Sequence, residues 1–234
     1  MVSILSPKPK QPDSDEISER RFLELLRREW EPGFHIGIAA PTRWGKTWLA
    51  SRIFRLREWV VVYCMKQEDD TIEQYKDFRI LDSWKDRNWK DQHCIVWPYA
   101  RTLDEAKEIK YREAKILLDS VFIERNWTLG IDDLNDLCYI GLKGDIGMML
   151  RLCGSQKTSI VVNYQRPFGI IQEALSQTYF TIAGYMKDRR DIDRVAESCG
   201  LNPKVLAQMN SRLGRFDAIV TRRMDEPLIV RRKG

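Results

Sequence analysis

The residues Ala40-Pro41-Thr42-Arg43-Trp44-Gly45-Lys46-Thr47 have the types and spacing needed to hold a polyphosphate. They match the phosphate-loop pattern G-x-x-x-x-G-K-[ST], with Ala40 in place of the first glycine. In such a loop successive backbone N–H groups converge on an anion. Gly45 lets the backbone curl close to the β-phosphate, Lys46 reaches the β- and γ-oxygens, and the Thr47 hydroxyl serves Mg²⁺. The helix that starts here aims its positive end at the phosphates. Ala40 suits the first position if that residue does not need a positive φ. Arg43 and Trp44 are bulky for this loop. They touch a neighbour or the nucleotide, or they face solvent.

A phosphate loop needs a carboxylate from a parallel strand beside it before it can turn over a nucleotide. Trp127-Thr128-Leu129-Gly130-Ile131-Asp132-Asp133 supplies one, an apolar strand ending in two acids. Asp132 is placed to hold the Mg²⁺ shell and Asp133 to orient or deprotonate the attacking water. ATPases with an extra central strand normally carry Glu at the second position, and Asp is one methylene shorter. The alternative is that Asp132, Asp133 and Asp136 cap the helix that follows. A third strand, Ser159 to Tyr164, ends in Gln165-Arg166-Pro167. The Gln165 amide suits a group that contacts the γ-phosphate or the water and reports hydrolysis.

Taken in this order, Ala40–Thr47, Ile131–Asp133 and Asn163–Pro167 resemble the FtsK–HerA superfamily of DNA-pumping ATPases, which includes small viral genome-packaging ATPases. The resemblance runs from about His35 to Ser198. It includes Thr42 and the charged segment Lys187-Asp188-Arg189-Arg190-Asp191-Ile192-Asp193. It departs at Ala40, at Asp133 and at the crowded Arg43-Trp44. The resemblance implies an ATPase that translocates double-stranded DNA as a homo-oligomeric ring, usually a hexamer. ATP and Mg²⁺ would lie at subunit interfaces, with an arginine finger from the adjacent subunit. Arg151 is the choice for that finger, although it is out of register with the family. Lys143, in the Gly-rich loop after the two aspartates, and Lys187, Arg189 and Arg190 are the choices for DNA phosphates. A viral member would work in the host cytoplasm or at the virion packaging vertex, docked on portal or capsid-vertex proteins.

The elements that must carry these residues alternate in type. The apolar pattern predicts helices over 18–30, 46–57, 102–125, 144–153, 170–176 and 189–198. It predicts strands over 35–40, 59–65, 93–97, 127–131, 159–164 and 179–183, then a strand pair at 215–221 and 227–231. Thr102-Leu103-Asp104-Glu105 reads as a capping box. Residues 66–92 are polar, without a period. The expected fold is α/β: a single-domain P-loop NTPase of the RecA/ASCE type, with a mainly parallel central sheet flanked by helices. Residues 1–16 read as a flexible arm, 17–234 as the ATPase domain and 204–234 as its basic end.

The chain has 234 residues and a mass of 27.6 kDa, with 39 Lys and Arg against 34 Asp and Glu. That length suits one domain with a sizeable core. The apolar runs are too short to span a bilayer, and the N-terminus lacks a signal-peptide core. Five scattered cysteines and two histidines exclude a zinc site of ordinary spacing and read as reduced core residues of a cytoplasmic protein. The net charge of +5 lies wholly in residues 204–234, which hold eight basic residues and three acids. Such an end points to a polyanion or to an acidic docking surface, or it is a solvated tail. The competing functional class is a P-loop kinase for a nucleoside or small metabolite, with Arg189, Arg190 and Arg194 as lid residues. That class leaves the paired aspartates and the Gln165 strand unexplained. A GTPase lacks its DxxG and guanine motifs here. A nucleotide-dependent assembly factor that does not hydrolyse is a third class.

Overall fold

The computed structural model describes residues 15–66, 70–222 and 225–232. Eighteen regular elements follow one another. The first are β1 (Glu16–Ser18), α1 (Glu19–Glu29), β2 (His35–Ala39), α2 (Lys46–Phe54), β3 (Val60–Tyr63), β4 (Arg79–Leu81) and β5 (His93–Val96). Then come α3 (Leu103–Glu124), β6 (Thr128–Ile131), α4 (Leu134–Leu137), α5 (Lys143–Leu152), β7 (Ser159–Tyr164) and α6 (Glu173–Ser176). The chain closes with β8 (Thr178–Ala183), α7 (Arg189–Cys199), α8 (Pro203–Ser211), β9 (Ala218–Arg222) and β10 (Leu228–Arg231).

All ten strands form one sheet in the order β1-β10-β9-β8-β2-β7-β6-β3-β5-β4. Every neighbouring pair is parallel except β9, which is antiparallel to β8 and to β10. Parallel strands covered on both faces have apolar residues on both faces, and β2, β3, β6 and β7 are buried throughout. The period of two sends alternate side chains to opposite layers. Val61, Tyr63, Leu129 and Ile131 pack under α3 and α5. Val60, Val62, Ile36 and Ile38 pack under α1 and α2. The helix α3 starts as its sequence requires, with Thr102 Oγ1 accepting the Glu105 N–H at 3.2 Å.

Three features differ from the sequence expectation. First, β6 is not beside β2. The strand β7 lies between them, pairing with both, so Asp132 faces the phosphate loop across one intervening strand. Second, α8 was not foreseen, although Asn202 caps its first turn and Pro203 opens it, a helix-start signal. The edge strands β1 and β4 were also unforeseen. Third, residues 15 and 16 of the expected arm belong to the sheet edge: Glu16 is in β1, and Ile229 donates its N–H to Asp15 O at 2.7 Å. Residues 1–14 of that arm lie outside the described residues, as do Arg223 and Lys233.

The basic end has its acidic surface within the chain. Arg212 bonds Asp15 at 2.9 Å and Glu16 at 2.7 Å. Arg231 bonds Asp217 at 2.6 Å and also Glu16. Arg222 pairs with Glu29 and, at 3.1 Å, with Asp225. The Arg231 hydrogen bond, the largest cause, and the Arg212 guanidinium hold the Glu16 carboxyl down at about 2. The charge excess that pointed outward is thus partly engaged in pinning β9 and β10 to β1 and α1. No helix among the described residues is long and apolar enough to cross a membrane.

Candidate functional site

The site lies where the parallel strands end. Ala40 leaves β2 and donates its N–H to Tyr164 O on β7 at 3.2 Å. The chain turns over Pro41 to Trp44, and Gly45 caps α2 in the left-handed region at φ 94°. A residue with a side chain costs about 1–2 kcal/mol there, which explains the glycine. Arg43 is also left-handed, at φ 62°, and exposed. Ala40 is not among the positive-φ residues, so alanine meets the backbone requirement at the first loop position.

Trp44 does not face solvent. It is buried, donates its indole N–H to Asp217 O at 3.3 Å, and packs so closely on Gly184 that a Cβ there would lie 2.7 Å from its ring. The loop is therefore pegged to the strands after β8. Lys46 holds its ammonium inside the loop, donating to Ala40 O at 2.7 Å and Pro41 O at 3.1 Å. Burial lowers its pKa, opposed by the charges of Asp133 and Asp132.

Thr47 and Asp132 meet. The Thr47 hydroxyl donates to Asp132 Oδ1 at 3.2 Å, and the Asn163 amide reaches the same oxygen at 3.5 Å. Both residues are buried, and the ammonium of Lys66, just past β3, lies 3.4 Å from the other Asp132 oxygen. A hydroxyl and a carboxylate side by side are hard oxygen donors, the set that suits Mg²⁺. The residues thus fit that ion.

Asp133 is a helix cap, one of the two readings that the sequence offers for it. Its Oδ1 caps α4, accepting from Asn135 N at 3.1 Å and Asp136 N at 3.4 Å. Its Oδ2 accepts from Gln165 Nε2 at 3.5 Å. The Gln165 carbonyl in turn accepts from the Thr42 hydroxyl at 3.4 Å. Gln165 thus links the loop to the second aspartate. Next to it, Arg166 bonds Asp191 at 3.1 Å and also Asp188, at the start of α7. Ala40, Pro41, Gln165, Arg166, Met186 and Lys187 are among the residues lining a cavity of about 660 Å³.

The remaining sequence choices lie apart from this cluster. Arg151 ends α5 and pairs with Glu173. The preceding carbonyl, Leu150 O, accepts from His35 Nε2 at 3.0 Å, at the first residue of β2. Arg151 therefore sits at the strand starts, the sheet edge opposite its own phosphate loop. Lys143 is not in an open loop but is the first residue of α5, exposed. Arg189 pairs with Asp193 at 2.8 Å and Arg190 with Asp188 at 2.8 Å, whereas Lys187 is exposed beside the cavity. Sequence reasoning missed Lys66, Asn163 and Arg232. Asn163 had a signal, a polar residue inside an apolar strand. Lys66 and Arg232 had none, because tertiary pairing brings them in.

Solved structures resemble this one over most of the chain. The genome packaging NTPase B204 of Sulfolobus turreted icosahedral virus 2, in complex with AMPPCP, has a TM-score of 0.61 over 86% of this chain and 98% of its own, at 14% identity. The chain has the P-loop NTPase fold. VirB4 of Thermoanaerobacter pseudethanolicus matches with a TM-score of 0.58 over 86% of this chain and 89% of its own, at 7% identity. The pCW3 conjugation coupling protein TcpA, in a monomer form with ATPγS, matches at 0.54 over 88% and 60%, at 14% identity. No protein-family model matches the chain, and no curated protein does. At these identities the likeness is one of fold, and it agrees with the FtsK–HerA resemblance read from the sequence.

Proposed function

We propose that this protein is an ATPase of the FtsK–HerA type that drives double-stranded DNA, most simply as the motor subunit of a viral genome-packaging ring. The observation that carries the reading is the Thr47–Asp132 hydrogen bond, made across β7, with Gln165 reaching both Thr42 and Asp133. Three separate segments converge at the C-terminal ends of the parallel strands on the groups that ATP hydrolysis needs. B204, a packaging NTPase, has the same fold at nearly full length.

In this reading the loop N–H groups and Lys46 hold the β- and γ-phosphates. Thr47 and Asp132 would hold Mg²⁺, which neutralises charge building on the phosphate oxygens. Asp133 Oδ2 accepts a hydrogen bond from the attacking water and draws off its proton. Its second oxygen stays on the α4 cap, which fixes the carboxylate. The shorter Asp is offset by this rigid seat and by the Gln165 amide, which orients the same oxygen. When the γ-phosphate leaves, Gln165 shifts, and Arg166 passes the shift to Asp188 and Asp191. That moves the start of α7, with Lys187, Arg189 and Arg190 on it, against DNA phosphates, and Lys143 adds a contact from α5. In a ring, the strand-start edge carrying Arg151 faces the neighbour's nucleotide and supplies the finger, released from Glu173. The kinase reading has less support, because it leaves the paired Asp132 and Asp133 and the Gln165 link between Thr42 and Asp133 unexplained.

The test is phosphate release with and without double-stranded DNA. DNA-stimulated release supports the motor. Phosphoryl transfer to a small acceptor, or ATP binding with no turnover under either condition, refutes it.

A further inference from the structure

The guanidinium of Arg232 sits in a place that its own chemistry makes costly. Its side chain is 5% exposed. It lies over the rings of both Trp44 and Trp48, 4.6 Å from each centroid. Its backbone is fixed, since the Arg232 N–H donates to Asp217 Oδ1 at 3.0 Å. The side chain reaches to the phosphate loop: Nη2 lies 3.3 Å from where a Cβ on Gly45 would be.

Its partners are few. Glu19 Oε2 is 3.5 Å from Nε, and neither Nε nor Nη1 makes a hydrogen bond. A buried N–H without an acceptor is expensive, more so when charged. Burial works against its charge, and so does Arg52, while Glu19 and Asp217 favour it. Gly45 caps α2, whose N-terminus is the positive end of the helix dipole. Lys46 is the next residue, and Arg52, one turn beyond Trp48, adds a third cation nearby. Two indole faces offer cation–π attraction but no acceptor. The Arg232 guanidinium, the Lys46 ammonium and a helix N-terminus therefore meet at one loop, whereas Arg52 is paired with Glu19 at 3.0 Å, and an anion at that loop answers all three. The donor count selects the anion's type: a phosphate oxygen is a strong, multiply accepting partner for a guanidinium.

We propose that Arg232 is a nucleotide-contacting residue, placing its guanidinium from the C-terminal segment on the phosphates held by the Gly45–Thr47 turn of the same chain. This deepens the ATP reading above and rests on it. It gives the basic end of the sequence a task at the nucleotide. It also explains why Trp44 and Trp48 are both tryptophan: they wall the guanidinium off from water, where its bond to phosphate is strongest.

The experiment is calorimetric titration of ATP into the full-length wild type, Arg232→Gln and Arg232→Lys, with a melting temperature for each. Glutamine keeps a planar head against the indoles but has no charge, whereas lysine keeps the charge and loses the flat packing. A phosphate contact predicts about 10- to 100-fold weaker ATP binding for Arg232→Gln. It predicts a smaller loss for Arg232→Lys, and the ranking holds whatever the melting temperatures do. Equal affinity of Arg232→Gln and wild type overturns the assignment. So does the reverse ranking, with affinity following melting temperature, because packing is then all that Arg232 supplies. If wild type itself binds no ATP, the ATP reading falls, and this one with it. If wild type binds and Arg232→Gln binds equally, only the Arg232 assignment falls.

Discussion

Gly184→Ala is the change that most directly tests whether the phosphate loop is held by its peg. Gly184 lies outside the positive-φ residues, so alanine meets no backbone penalty and the effect is one of packing. The new Cβ would lie 2.7 Å from Trp44 Cε2 and Nε1 and 3.0 Å from Ala40 Cβ. Carbon contacts relax at about 3.5–4.0 Å, so the indole must retreat by about 1 Å. Behind it stands the Arg232 guanidinium, 4.6 Å from the ring centroid. Overpacking of this kind costs about 1–3 kcal/mol. The retreat also breaks the 3.3 Å bond to Asp217 O, a further loss of about 1 kcal/mol. The sum is about 2–4 kcal/mol, a fall in melting temperature of about 4–16 °C for a chain of this size. Because Trp44 directly precedes Gly45, the loop moves with it, and a 1 Å misplacement costs turnover about 100-fold. The assays are differential scanning fluorimetry and phosphate release. Trp44→Phe removes the clashing part of the ring, so Gly184→Ala combined with Trp44→Phe should recover at least half of the lost stability, a coupling that a double-mutant cycle reads directly. Unchanged melting and turnover in Gly184→Ala, or a double mutant equal to the sum of the singles, would refute the peg.

Four further outcomes are expected. Lys46→Ala weakens ATP binding by about 100-fold or more, read by calorimetry, since it deletes the charged donor inside the loop. Asp133→Asn keeps ATP binding and the α4 cap but lowers turnover by about 100- to 10,000-fold, the usual range for a lost general base; turnover equal to wild type refutes that role. For Arg151, rings mixed from Arg151→Ala and Lys46→Ala subunits should regain part of the ATPase rate that each mutant lacks alone, and no regain removes Arg151 as the trans finger. His35 accepts the Ile160 N–H at Nδ1 and donates from Nε2 to Leu150 O, so it is held neutral, and burial lowers its pKa from 6.5 to about 4. The unfolded chain then binds more protons in that interval, so stability present above pH 6.5 is lost as pH falls towards 4; urea midpoints across that window should show this slope in wild type and less of it in His35→Leu.

The parts of the site readable in the sequence were those whose chemistry is local. Ala40–Thr47, Asp132, Asp133 and Gln165 each sit within a few residues of a strand end, and strand ends follow from apolar runs. Sheet order is a different matter, because a parallel connection can place its strand on either side of a neighbour. That is why β6 was expected beside β2 and lies one strand away. Trp44 stood undecided between solvent and contact, because its packing partners, Gly184 and Asp217, come from segments 140 and 173 residues further along. The basic end was left open for the same reason. A charge count cannot see that Asp15, Glu16, Glu19 and Glu29, at the other end of the chain, lie across from Arg212, Arg222, Arg231 and Arg232. The helix α8 was legible through Asn202-Pro203 and was passed over.

The pairing of β1 with β10 joins Glu16 to Ile229, among the longest-range contacts in the fold. Loops of that length close late, after local contacts have formed. A nascent chain that has emerged as far as α8 already holds the phosphate loop, both aspartates and Gln165. It lacks the Asp217 carbonyl that anchors Trp44 and the Arg232 that backs it. The bracing of Trp44 therefore becomes complete only when residues 228–232 are made and docked. A partly synthesised chain thus has the phosphate loop and the carboxylates without the brace that aligns them.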